Sequence, residues 1–143
     1  MKKPWGIDLE FPAGLLNAGD HEVLKQYSTG KDLCVEIGTF KGRSAFVMGL
    51  FAKKVVGIDN YSYTFSSGGL PTEPKERLIL AQKAVSILPN IELRLGDSEG
   101  EVNSFADESI DLLFVDDGHG TQDVLRDFNV WYFKYNKWGL PRQ

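Results

Sequence analysis

The sequence predicts an α/β domain of three layers, with four parallel strands in the order 3-2-1-4 between flanking helices. Three observations carry that expectation. Four short apolar runs, at 33–37, 55–59, 91–95 and 110–115, alternate with segments of helical spacing, the rhythm of strand–helix–strand units. The first run ends in a glycine-bracketed turn, Gly38-Thr39-Phe40-Lys41-Gly42, that leads directly into a helix. Right-handed crossovers between parallel neighbours then leave few topologies to consider.

The whole chain sets bounds on this reading. Its 143 residues suit one domain with one core, though a short one for an enzyme. No repeat, low-complexity tract or linker divides residues 1–143. With 42% hydrophobic and 25% charged residues the composition is that of an ordinary globular protein. A net charge of -4, a pI near 5.2 and no basic stripe argue against nucleic acid as a partner. The longest apolar runs fall short of a membrane span, so no membrane is expected either. Met1-Lys2-Lys3 is followed by Pro4-Trp5-Gly6-Ile7-Asp8 and not by an apolar signal core. A cytoplasmic setting follows by default. The lone cysteine, Cys34, falls inside the first expected strand and reads as a small buried hydrophobe.

Residues 1–19 are rich in Pro and Gly and read as an irregular lead. Asp20 is placed to cap a helix through about Tyr27, with Val23, Leu24 and Tyr27 on one side and Ser28-Thr29-Gly30 ending it. The strand at 33–37 is apolar on both faces except for Glu36. A carboxylate there is expensive unless it has a partner. Gly38 and Gly42 allow a sharp turn and close approach to a ligand. Ser44 sits near the following helix start, where free N–H groups favour negative charge. The spacing is G-x-x-x-G, so the dinucleotide fingerprint G-x-G-x-x-G is absent.

The second strand, 55–59, ends in Asp59. A carboxylate about twenty residues after the glycine turn can accept both hydroxyl hydrogens of a ribose. The plainer alternative is a turn-initiating Asp before Asn60. Residues 60–72 form a long loop with Tyr61, Tyr63, Phe65 and Ser66-Ser67-Gly68-Gly69, either an acceptor lid or surface packing. Pro74 opens a helix running to about Leu88, with Leu78, Ala81, Val85 and Leu88 on one face. Pro89-Asn90 stops it, and residues 91–95 alternate as an edge strand should. Gly96-Asp97-Ser98 follows that strand. The fourth strand, 110–115, runs into Asp116-Asp117-Gly118-His119-Gly120, and helical periodicity resumes from Thr121 to Trp131.

Val35 to Ser44 resembles, residue by residue, the motif V-E-I-G-T-x-x-G-R-S of a family of small-molecule methyltransferases, methyltransferase domain 24, within the class I S-adenosylmethionine-dependent enzymes. Phe114, Asp116, His119, Arg126, Asp127, Phe128 and Trp131 match the family's fourth motif, F-I-D-G-D-H followed by R-D-F-x-x-W, although Asp117-Gly118 inverts its Gly-Asp order. The resemblance spans roughly residues 12–138 and the first half of the family's domain. It implies a Rossmann-like methyltransferase fold lacking the usual strands five to seven, either as a gene fragment or as a natural short form. It further implies that Gly38, Thr39, Gly42 and Ser44 hold the methionine part of S-adenosylmethionine, with Glu36 near its amino group. Asp59 and Asn60 would meet the ribose, and Asp97 and Ser98 the adenine. Asp116 and His119 would stand at the sulfonium. His119, with a pKa near neutrality, is the better base, the alternative being a histidine that orders the loop. With one carboxylate cluster and no second ligand set, no metal is expected.

The function expected is methyl transfer from S-adenosylmethionine to a hydroxyl of a small molecule, by this chain or with it as the cofactor-binding half. One alternative is a non-catalytic module serving assembly. Another is a small reductase, against which Glu36 and the missing G-x-G-x-x-G count. A homodimer is also expected. With no fifth strand, 110–115 presents an open edge, and the last helix carries Phe128, Trp131, Tyr132, Phe133, Tyr135 and Trp138. The competing arrangement has residues 134–143 folding back over that edge.

Overall fold

Parallel strands buried on both faces must send alternate side chains into two separate cores, and this chain does so. The computed structural model describes residues 3–14, 16–62, 71–116 and 121–136. Strands β1 (Cys34–Ile37), β2 (Val55–Asp59), β3 (Ile91–Leu95) and β4 (Leu112–Val115) form one parallel sheet in the order β3-β2-β1-β4. The expected order holds. Cys34, Val55 and Leu93 face one side, where they pack with Leu24 of α1 (Ala18–Ser28), Ala45 to Met48 of α2 (Arg43–Phe51), and Ala81 and Val85 of α3 (Pro74–Val85). Val35, Ile37, Val56 and Ile58 face the other side, against Phe105, Ile110 and Trp131 of α5 (Thr121–Trp131). Cys34 is fully buried, and burial pushes its thiol up to about 12.

Helix α1 departs from expectation in two ways. Its cap is Asn17, which accepts from the Asp20 N–H at 2.8 Å, while Asp20 reaches back to the Asn17 N–H at 3.1 Å. That reciprocal pair satisfies two free donors and places Asp20 three residues inside the cap. The buried side is His21, Leu24 and Ser28, whereas Val23 and Tyr27 are more than half exposed. Histidine belongs to the core face because Arg43 supplies its partner: Arg43 Nε donates to His21 Nε2 at 3.1 Å. Burial, then the Arg43 charge, hold the imidazole below its ordinary pKa. Arg43 also donates to the Pro12 carbonyl at 2.9 Å, and Trp5 packs edge-on against Phe51 with ring centres 5.2 Å apart. The irregular lead is thereby fastened across α1 and α2.

Two further differences flank β3. Helix α3 ends at Val85, short of Leu88, and a short α4 (Ser98–Glu101) was not foreseen. It is too short for a periodic signal and exists because Asp97 caps it by accepting from the Gly100 N–H. Beyond α5 a single 3-10 turn, Tyr132–Lys134, reverses the chain. Ile110 N–H then donates to the Lys134 carbonyl at 2.9 Å, Asn136 N–H donates to the Ile110 carbonyl at 2.7 Å, and Tyr135 pairs with Ile110 in parallel. Ile110, two residues ahead of β4, is therefore bordered by the chain's own residues. Trp138 and the rest of 137–143 lie outside the described residues. Among the described residues, no helix is long and apolar enough to cross a membrane.

Candidate cofactor site

The turn between β1 and α2 is built from positive-φ backbone. Gly38 and Gly42 have φ of 93° and 95°, where a side chain is strained. A Cβ on Gly42 would also lie 2.9 Å from Val85 Cγ1. Phe40, at φ 51°, adopts the same left-handed region without being glycine. Asp59 helps to hold it there: Oδ2 accepts the Phe40 N–H and Oδ1 accepts the Tyr61 N–H, both at 2.8 Å. One carboxylate thus ties the β1 turn to the end of β2. Tyr61 is fully buried, its hydroxyl 3.0 Å from Thr39 Oγ1. It is neither a lid nor surface packing, the two roles weighed for the loop aromatics. Tyr63 and Phe65 lie outside the described residues.

Beneath this turn lies Glu36, fully buried. The Ser44 hydroxyl donates to its Oε2, and Oε1 has no hydrogen-bond partner among the described residues. Burial pushes its pKa up to about 8; the Ser44 bond opposes this, and the charges of Asp116 and Asp59 add to it. Asp116 follows β4 and donates its N–H to the Ile37 carbonyl at 2.8 Å. Burial and then Asp20 of α1 raise its carboxyl above the ordinary value. Carboxylates from three strand ends and one helix therefore share a field that suits a cation. Asp117 and His119 lie outside the described residues.

A cleft of about 190 Å³ opens at the carboxyl ends of β1, β2 and β3, where open α/β sheets bind ligands. Gly38, Asp59, Asn60, Asp97 and Ser98 are on its wall, five of the nine cofactor residues read from the sequence. Glu36, Thr39, Gly42 and Ser44 do not line it, nor does Asp116. Glu36, Thr39, Gly42 and Ser44 are instead buried within the turn and the strand that support it. Asn60 Oδ1 accepts from the Ser62 N–H and hydroxyl at 3.1 and 2.8 Å, shaping the loop start. The Ser98 hydroxyl points to α5: it donates to Asp127 Oδ1 at 2.5 Å and accepts from Trp131 Nε1 at 3.1 Å. Asp127 lines the cleft as well, a site residue that the sequence reading noted only as part of R-D-F-x-x-W. Among the described residues no group of three or more His, Cys, Asp or Glu is arranged to hold a metal.

A model of the methyltransferase domain, type 24, matches residues 35–140, well over half of the chain. The chain belongs to the methyltransferase domain family. No curated protein sequence matches it significantly. Solved structures place the methyltransferase domain among class I methyltransferase folds. An S-adenosylmethionine-dependent O-methyltransferase from Thermotoga maritima aligns with a TM-score of 0.63 at 13% identity, over 87% of this chain and 42% of that one. An S-adenosylmethionine-dependent methyltransferase assigned in Methanococcus maripaludis gives 0.58 at 15% identity, over 80% and 48%. A methyltransferase assigned in Streptococcus mutans, solved with S-adenosylhomocysteine, gives 0.55 at 14% identity, over 79% and 62%. The chain therefore spans between 42% and 62% of the length of these three. S-adenosylmethionine is the cofactor of methyltransferases of this class, and the residues in place fit it. Glu36 offers a buried, unpartnered acceptor in a negative field, and Asp59 stands on the cleft wall.

Proposed function

We propose that this chain binds S-adenosylmethionine along the cleft and serves the methylation of a hydroxyl group on a small molecule, in a cytoplasmic setting. The observation that carries the reading is the order of groups along one cleft. The β1 turn comes first, Asp59 and Asn60 next, and Gly96 to Ser98 with Asp127 last, matching an amino acid, a ribose and a purine in sequence. The Thermotoga maritima relative, described as an O-methyltransferase, and the Streptococcus mutans relative, holding S-adenosylhomocysteine, favour that chemistry.

When bound, the cofactor supplies an electrophilic methyl group on a sulfonium. The chain's own part is to hold the donor, shield it and receive the proton that the acceptor hydroxyl loses. Glu36 in its negative field would take the ammonium group, and Asp59 the ribose hydroxyls. Asp116, its carboxyl raised above the ordinary value by burial and by Asp20, stands just past the end of β4, where a base or a group orienting one is needed. His119 follows three positions later in the sequence and is the companion candidate.

Calorimetric titration with S-adenosylhomocysteine, with NAD as the control, tests this. Binding of the first and not of the second is expected. Asp59→Ala should weaken it by about 1–3 kcal/mol, since two hydroxyls lose a charged acceptor. No heat with S-adenosylhomocysteine rejects the reading. Transfer of a labelled methyl group to a panel of small hydroxyl compounds then tests the acceptor class. We also propose that two copies associate through the exposed face of α5 and the turn after it, where Leu125, Phe128 and Phe133 are 54%, 52% and 66% exposed.

A further inference from the structure

Between the turn after β1 and helix α3 lies a second cavity, of about 220 Å³. Leu80, Ala81 and Ala84 of α3 line it together with Phe40 and Ala13, and Lys41 and Arg77 complete the wall. Its character is opposite to that of the cleft already described. There the wall carries Asp59, Asp97, Glu99 and Asp127, with Arg126 as its cation. Here it carries two cations and, among the described residues, no carboxylate, in a chain whose net charge is -4. The turn separates the two: Gly38 borders the first, Phe40 and Lys41 the second.

Each part of this wall is held in place. Asp59 Oδ2 fixes Phe40 by accepting its N–H. Arg77 is 9% exposed; its Nε donates to the Pro71 carbonyl at 2.6 Å and its Nη1 to the Tyr61 carbonyl at 2.8 Å. Those bonds anchor a positive charge at the cavity. Lys41 Nζ stands 5.3 Å from the centre of the Phe40 ring and has no ion-pair partner among the described residues. An ammonium beside a ring face keeps its hydrogens for an acceptor. Leu80 is 44% exposed, apolar surface that a ligand would remove from water. An apolar cavity of about 150 Å³ takes a benzene ring, so this one has room for a ring and a carboxylate. We propose that the cavity is a second binding site, for a small monocarboxylate with an apolar ring. The ring would lie on Phe40, Leu80, Ala81 and Ala84, and the carboxylate would accept from Lys41. This site does not depend on the cofactor reading of the first cleft.

The test is a titration of the isotope-labelled chain with phenylacetate, followed by amide NMR, with phenylacetamide and acetate as controls. Phenylacetate should give saturable shifts at the amides of Phe40, Lys41, Ala81 and Ala84. Phenylacetamide keeps the ring and loses the charge, so it should bind about tenfold more weakly. Acetate keeps the charge and loses the ring, and should not saturate. Lys41→Met retains the apolar stem and removes the ammonium. It should weaken phenylacetate about tenfold and leave phenylacetamide unchanged, which brings the two ligands level. Ala84→Phe, at an exposed position of α3, fills the cavity and should abolish binding of both ligands. Circular dichroism establishes that each variant is folded. No saturable shift in the wild type overturns the proposal, as do shifts that map away from α3 and the turn. Equal affinity of the wild type for acid and amide also overturns it, and so does a preference unaltered by Lys41→Met. Should that variant not fold, Ala84→Phe decides: undiminished binding in it places the ligand elsewhere and rejects the site.

Discussion

Glu36 has a pKa near 8 in the fold against an ordinary 4.5, so at neutral pH the cofactor-free chain holds it protonated. The shift is upward, so the stability it carries is complete below about pH 4.5 and is lost as pH rises through about 8. Each unit of pH within that window is worth about 1.4 kcal/mol. Glu36→Gln removes the titration. Its melting temperature should fall less than that of the wild type between pH 5 and pH 8, and should exceed it at pH 9. Parallel melting curves for the two would show that Glu36 does not titrate there. An ammonium group placed at Oε1 favours the ionised form, so binding of S-adenosylhomocysteine at pH 7 should release a proton. Titrations in two buffers of different ionisation heat read that release directly. The motif gave Glu36 its place in the first strand; it did not give Ser44 as the donor. Asp59 shows the same limit. Its place after β2 was legible, but its bonds to Phe40 and Tyr61 depend on where two loops meet.

At the scale of the element, Gly57 in β2 has a role that no local pattern announces. It pairs with Glu36 across the sheet. A Cβ there would lie 2.1 Å from Thr39 Cγ2 and 2.8 Å from Leu93 Cδ2. The missing side chain is the space in which Thr39 sits to meet Tyr61. Gly57→Ala should therefore destabilise the chain by about 1–3 kcal/mol in urea unfolding, through forced movement of the turn. Adding Thr39→Ser, which removes the offending methyl group, should recover part of that loss. A double variant no better than the single one would place the strain elsewhere. Helix α1 carries a related lesson. Apolar spacing favoured Val23 and Tyr27 for the buried side, whereas the core side holds His21 because Arg43, 22 residues away, satisfies its ring nitrogen. A polar residue reads as exposed until its partner is known.

For the whole molecule, the question is which surface remains to be covered. Lys134 to Asn136 border Ile110 ahead of β4, and the exposed Leu125, Phe128 and Phe133 make the face of α5 and its following turn the place proposed for a second copy. Phe128, Tyr132 and Phe133 form a chain of rings 5.5 and 5.6 Å apart there. Light scattering at micromolar concentration should report a dimer, and Phe133→Glu should return a monomer with little change in melting temperature. A monomeric wild type rejects the interface.

What the sequence alone determined is the architecture and five residues at the strand ends that border the cleft. Four apolar runs and the helices between them set the parallel order, because strand burial and crossover handedness are properties of short stretches. Gly38, Asp59, Asn60, Asp97 and Ser98 could be placed at the cleft because each follows a strand at its carboxyl end, and the sheet brings those ends together. Only the tertiary structure decided how the carboxylates are used. Glu36 is neutral because helices and strands exclude water from it. Ser98 stands on the cleft wall with its hydroxyl turned to α5, because Asp127 and Trp131, 29 and 33 residues further on, capture it. Hydrogen bonds between distant elements are settled by packing, and packing is not written in local spacing.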